Sequence, residues 1–113
     1  AALGNLGGGN PINQEAIGKA GGICVILDAM KRFPSNEEVQ RCGSAALVTL
    51  GGRSSINQEA ISKAGGICVI LDAMKRFSSN EEVQRCGSGA LWNLASGNPI
   101  NQEAISKAGG ICV

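Results

Sequence analysis

The sequence predicts an all-α protein built from stacked copies of one helical unit, and three observations carry that prediction. Residues 10–53 and 54–97 align over a period of 44 with 34 identities and ten differences. Inside each period the apolar residues recur at i, i+3, i+4 and i+7, which is the stripe of a helix with one buried face. Glycine pairs and Ser-Asn breaks punctuate the period where one helix must stop and the next begin, and no stretch requires a strand.

The copies divide the chain into residues 1–9, which match the end of a unit and so form part of its third helix, full units at 10–53 and 54–97, and residues 98–113, which match the start of a unit. INQEAI begins at Ile12, Ile56 and Ile100, and KAGGICV begins at Lys19, Lys63 and Lys107. One solenoid-like body is expected overall. A period in the forties suits helical pairs or triplets that stack on their neighbours, and it is too long for ankyrin or tetratricopeptide units. The chain reads as a slice of an array cut out of phase. Near-identity of the copies points to recent amplification or to deliberate assembly from one unit, and the retained cysteines favour a natural origin for that unit.

Each unit reads as three helices. The first, near Asn57 to Ala64, carries Ile56, Ala60, Ile61 and Ala64 on one side, with Glu59 and Lys63 as an i,i+4 pair. Gly65-Gly66 ends it, because glycine accepts the positive φ of a helix C-terminus. The second runs from about Ile67 to Phe77, burying Ile67, Ile70, Leu71 and Met74 and placing Lys75 and Arg76 in the last turn, where the dipole favours cations. Ser78-Ser79-Asn80 supplies a break and an N-cap, with Ser79 and Glu82 at capping-box spacing. The third spans about Glu81 to Ala95, with Val83, Ala90, Leu91 and Leu94 turned inward and Gly87 on the core flank. Gly43 and Gly87, inside third helices, cost up to about 1 kcal/mol each relative to alanine, so close helix approach is expected there. Met30, Met74, Phe33 and Phe77 are expected in the core or at helix ends.

Composition narrows function. Ten Lys and Arg against nine Asp and Glu leave a net charge of +1, with no basic run to meet nucleic acid or a membrane surface. The longest apolar run, Ile23 to Leu27, is too short to span a bilayer. Histidine and tyrosine are absent, which removes the commonest general base and the commonest metal ligand, so no enzyme, metal or cofactor is expected. The five cysteines recur as repeat equivalents, Cys24, Cys68 and Cys112 in one set and Cys42 and Cys86 in the other. Stacked helices lie roughly 8–10 Å apart, beyond the roughly 7 Å a disulfide tolerates between Cα atoms. Reduced thiols in an intracellular, cytoplasmic or nuclear, setting are expected, with Cys24 and Cys68 better buried than Cys42 and Cys86.

The string VQRCGSGALWNLASGNPINQEAISKAGGICV resembles armadillo repeats in its VQ early in the third helix, its NLA near the end, its short capped first helix and its AGGI opening the second. The resemblance covers essentially the whole chain. It implies a right-handed α-solenoid of three-helix repeats whose third helices line a groove for extended peptides or partner proteins. Advancing 100° per residue from the family's asparagine, here Asn93, places Glu82, Cys86, Gly89 and Gly97 within about 40° of it. The groove set is therefore Glu38, Cys42, Thr49 and Arg53 with Ala45, Glu82, Cys86 and Asn93, and Asn5 in the first segment. An asparagine amide both donates and accepts, so it can bond a peptide backbone whatever its sequence; an equal alternative is that Asn93 bridges two helices. Thr49 interrupts that ladder. Nuclear-import adaptors of the family carry a tryptophan four residues before the asparagine, where this chain has Ala1, Ala45 and Gly89, so a nuclear-localisation-signal receptor is not expected. Trp92 points sideways and is expected to pack on a neighbouring helix or chain. Neither end carries a polar cap, and Leu3, Leu6, Trp92, Ile100, Ile105, Ile111 and Val113 are expected to join copies into a dimer or larger homo-oligomer. A structural self-assembly module is thus the alternative to a peptide-binding scaffold.

Overall fold

The structure, a computed structural model, describes residues 21–52 and 54–108. Every element among them is helical: α1 Gly22–Arg32, α2 Glu37–Gly51, α3 Ser55–Lys63, α4 Gly66–Arg76, α5 Glu81–Ala95 and α6 Pro99–Lys107. The order second, third, first, second, third, first helix of successive units is the one the repeat predicts. Ala1, Leu3, Asn5, Leu6, Arg53, Ile111, Cys112 and Val113 lie outside the described residues.

The helix starts are set by short side chains that replace missing backbone partners. Asn36 and Asn80 each accept from the N–H three residues on, at 3.0 Å from Val39 and Val83. Ser54 and Asn98 do the same for Asn57 and Asn101, and Pro99 takes the first position of α6, where its lost N–H would have no helical partner anyway. The expected capping box at Ser79 is corrected: Asn80 is the cap, because its carboxamide oxygen reaches the free N–H of Val83, and Glu82 turns away to Arg41. α3 starts at Ser55, two residues before the expected Asn57, because Ser54 caps it.

Gly65 adopts φ +83, the left-handed conformation expected between first and second helices. Gly66 acts differently: a Cβ there would lie 2.7 Å from the Ile61 carbonyl oxygen. Gly43 and Gly87 admit the methionines of the preceding helices, since a Cβ would come 2.6 Å from Met30 Sδ and 2.7 Å from Met74 Sδ. The expected close approach is therefore present at both.

Among the described residues the core joins α1 to α5 through Ile23, Leu27, Met30, Leu47, Leu50, Ile61, Ile70, Val83, Ala90 and Leu94, all buried. Met74 and Phe77 are half-buried against it, while Phe33 stands at a helix end, as the C-cap of α1, and is exposed. The i,i+4 pairs Glu59–Lys63 and Glu103–Lys107 form at 3.3 and 3.6 Å with both partners largely exposed, a geometry worth at most a few tenths of a kcal/mol.

Side-chain amides supply the cement between helices. Gln40 donates to the carbonyls of Met30 and Phe33, and Gln84 donates to those of Met74 and Phe77. Asn57 and Gln58 donate to the carbonyls of Leu50 and Gly51 at the end of α2; Asn101 and Gln102 repeat this on Leu94 and Ala95 of α5. The last carbonyls of a helix have no partner within it, so the VQ and NQ pairs close the ends of the helices that precede them.

Candidate functional site

The two longest helices, α2 and α5, are the third helices of consecutive units, and they pack along each other. Four contacts define the seam. Arg41 Nη1 lies 3.3 Å from Glu82 Oε1, Asn80 donates to the Glu37 carboxylate, and Asn93 Nδ2 donates to the Val48 carbonyl at 3.2 Å. Gly89 sits over Val48, whose Cγ2 would be 2.9 Å from a Cβ at that position. The Glu82 hydrogen bond pushes the Arg41 guanidinium still higher than its ordinary pKa, with the charge of Cys42 and of Glu82 itself adding to the shift.

This seam decides where the expected groove residues stand. Glu82, Cys86, Gly89 and Asn93 share one stripe, as the 100° rule requires, but α2 lies against that stripe. Cys86 is only 4% exposed, so its assignment as a groove-facing thiol is corrected: it fills the seam between the Arg41–Glu82 and Asn93–Val48 contacts. Asn93 is half-buried and bridges two helices through its amide nitrogen, the alternative role open to it. On α2 the equivalent residues Cys42, Ala45 and Thr49 are half-buried, and Glu38 is exposed.

The solvent face of α5 is rotated about 110° from Asn93 on the same 100° rule and carries Glu81, Arg85, Ser88 and Trp92. Trp92 is 74% exposed, so of the two partners expected for it, a neighbouring helix or a neighbouring chain, the helices among the described residues do not cover it. Ile100 is exposed likewise, whereas Ile105 is half-buried against the core and so belongs mainly to the interior.

The cysteine order is reversed from expectation. Cys24 and Cys68 are exposed, Cys42 is intermediate and Cys86 is buried. The second helices turn Ile23, Leu27 and their equivalents inward, which leaves the following residue, the cysteine, on the outside. Burial pushes the Cys86 thiol above its ordinary pKa, against a smaller opposing effect of Arg85. Thiol-specific labelling of the native protein near pH 8 is accordingly expected to modify Cys24 and Cys68 first and Cys86 at least about tenfold more slowly, since both access and thiolate fraction disfavour it. Equal rates at Cys68 and Cys86 would contradict the packing of α5 on α2.

No group of three His, Cys, Asp or Glu among the described residues could hold a metal ion, and no helix among them is long and apolar enough to cross a membrane. A surface hollow of about 430 Å³ is lined by Cys24, Val25, Leu27, Asp28, Lys31 and Ala64, but the Lys31 ammonium is engaged on the Ala64 carbonyl at 3.2 Å. No family model matches the chain, and neither the curated proteins nor the solved structures provide a significant match.

Proposed function

We propose that the chain is part of an armadillo-type array, a right-handed α-solenoid with no catalytic role, and that it binds an extended segment of another protein across its third helices. The observation that carries the reading is the side-by-side seam of α2 and α5, with Asn93 at its edge. A 44-residue three-helix unit, a left-handed glycine between first and second helices and glycines that admit close packing support the same reading. Such a protein supplies a surface and no reacting groups, in keeping with the absence of histidine from the sequence. The bound segment runs across the helices, touching Glu38 and Thr49 on α2 and Arg85, Trp92 and Asn93 on α5. Asn93 keeps its carboxamide oxygen for a peptide N–H while its nitrogen holds Val48.

The ladder can be tested by completing it. Screening a display library of extended peptides should yield binders to the chain. Thr49→Asn should then tighten them roughly tenfold, about the value of one well-placed hydrogen bond in a partly desolvated site, and Asn93→Ala should weaken them comparably. Absence of any binder, or indifference of all binders to both changes, would remove the groove assignment.

A further inference from the structure

The turn that joins α4 to α5 repeats the turn that joins α1 to α2, with one exchange that changes its chemistry. Both follow a Lys-Arg-Phe segment, but Lys31-Arg32-Phe33 continues with Pro34-Ser35 and Lys75-Arg76-Phe77 continues with Ser78-Ser79. Only the second of these turns sets a serine, Ser78, three and two residues after adjacent cations. The structure leaves its hydroxyl free to react. Asn80 caps α5, and Ser78 and Ser79 are both exposed, with no hydrogen bond from either hydroxyl among the described residues. The cations differ between the two turns as well. Lys31 is held on the Ala64 carbonyl at 3.2 Å, whereas Lys75 is exposed and makes neither hydrogen bond nor ion pair among the described residues. Arg76 is engaged only by Asp72, one turn back on the same helix and half-exposed, a pair that solvent replaces at little cost. Of the acids that follow the serines, Glu82 is taken up by Arg41 in the seam.

We propose that Ser78 is a phosphorylation site for a basic-directed protein kinase, one whose substrate cleft offers carboxylates to the cations three and two residues before the acceptor serine. Ser78 Oγ attacks the γ-phosphorus of ATP, the bond between that phosphorus and the oxygen bridging to the β-phosphate breaks, and ADP leaves; the hydroxyl proton passes to the catalytic aspartate of the kinase. Such a cleft takes its substrate extended, so the end of α4 must open. Its fastenings are few: the Phe77 N–H on the Ala73 carbonyl, the Asn80 N–H on the Phe77 carbonyl, and the Gln84 amide on that same Phe77 carbonyl. Helix ends and exposed turns open locally long before the whole fold does. The product phosphate carries about −1.5 to −2 charges at pH 7, and Lys75 stands free one turn back to pair with it. The new charge lies where α5 begins, beside the contact of Asn80 with Glu37 that closes this end of the seam. The inference goes beyond the peptide-binding reading and does not depend on it.

Incubating the native 113-residue chain with ATP and the catalytic subunit of the cyclic-AMP-dependent kinase tests it, with casein kinase as an acid-directed control and mass mapping of the digested product. A single phosphate per chain, on Ser78, is the expected result. Ser78→Ala should abolish it, and Arg76→Ala should lower kcat/KM for the transfer at least about tenfold, as removing one close charge contact does. Circular dichroism should be unchanged in both variants, because both side chains are exposed. Phosphate found on Ser35 or Ser79 in place of Ser78 overturns the proposal, since the cations would then not set the acceptor as argued. Labelling by casein kinase alone overturns it as well and assigns the turn to the acids that follow it. A native chain that takes no phosphate overturns it even where an excised peptide of residues 73–84 is labelled, because the turn would then not open within the fold.

Discussion

Replacing Gly66 by alanine is expected to destabilise the protein by about 3 kcal/mol, the upper end of what an unaccommodated atom costs in a packed interior. A Cβ there would meet Ile61 Cγ2 and, at 2.7 Å, the Ile61 carbonyl oxygen. A side chain can swing aside, but the carbonyl belongs to the last turn of α3 and cannot move without shifting the helix. The neighbouring glycines calibrate the claim. Gly65→Ala meets only the tip of Lys31 at 3.9 Å, so its cost comes from φ +83 alone, about 1 kcal/mol. Gly87→Ala confronts Met74, an unbranched side chain with several rotatable bonds, and recovers up to about 1 kcal/mol of helix propensity. Urea denaturation should therefore rank Gly66→Ala well below Gly65→Ala, with Gly87→Ala between them or better. A Gly66→Ala variant within about 1 kcal/mol of the parent would show that α4 does not approach α3 as closely as described.

How far the sequence could be read depends on whether the deciding partner is near or far along the chain. The third helix is bounded at Glu81 and Ala95 as expected, because its acidic first turn, its cap and its apolar stripe are local features. Val83, Gly87, Ala90 and Leu94 are buried as their spacing requires. Rotation of that helix within the fold was not legible. A helical wheel gives angles between residues of one helix, but which arc meets solvent depends on where α2 lies, and α2 lies on the Cys86–Asn93 stripe. The cysteines of the second helices were misplaced for a related reason: a free thiol is usually among the more buried side chains, yet Ile23 and Leu27 compete for the inward positions and win them on apolar area. The roles of the amides of Gln40, Asn57 and Gln84 are not visible locally, because the carbonyls they close stand seven or ten residues away on another helix. A glutamine directly before or after the apolar stripe, recurring at the same point of each unit, was the available signal.

Gln40→Met should cost about 3–5 kcal/mol, although methionine nearly reproduces the shape of glutamine. Gln40 is buried, and its one amide nitrogen serves two acceptors, the carbonyls of Met30 and Phe33, each at 3.0 Å. Both belong to the C-terminal turn of α1, whose last carbonyls have no partner inside the helix. Removing the donor forfeits two bonds worth about 1 kcal/mol each and strands the Met30 acceptor away from water, which adds on the order of 1–3 kcal/mol. Gln102 performs the same service for Ala95 at 2.9 Å, but it is exposed, so water replaces the lost donor and Gln102→Met should cost under about 1 kcal/mol. Gln84, half-buried with bonds of 2.8 and 3.0 Å to Met74 and Phe77, should fall between them. Gln40→Met and Gln84→Met each abandon two carbonyls and differ in how much water can reach them, so their order in urea denaturation isolates burial, while Gln102→Met abandons one exposed contact. If Gln40→Met proves no more costly than Gln102→Met, the recurring glutamine has a role other than closing the second helix of its unit.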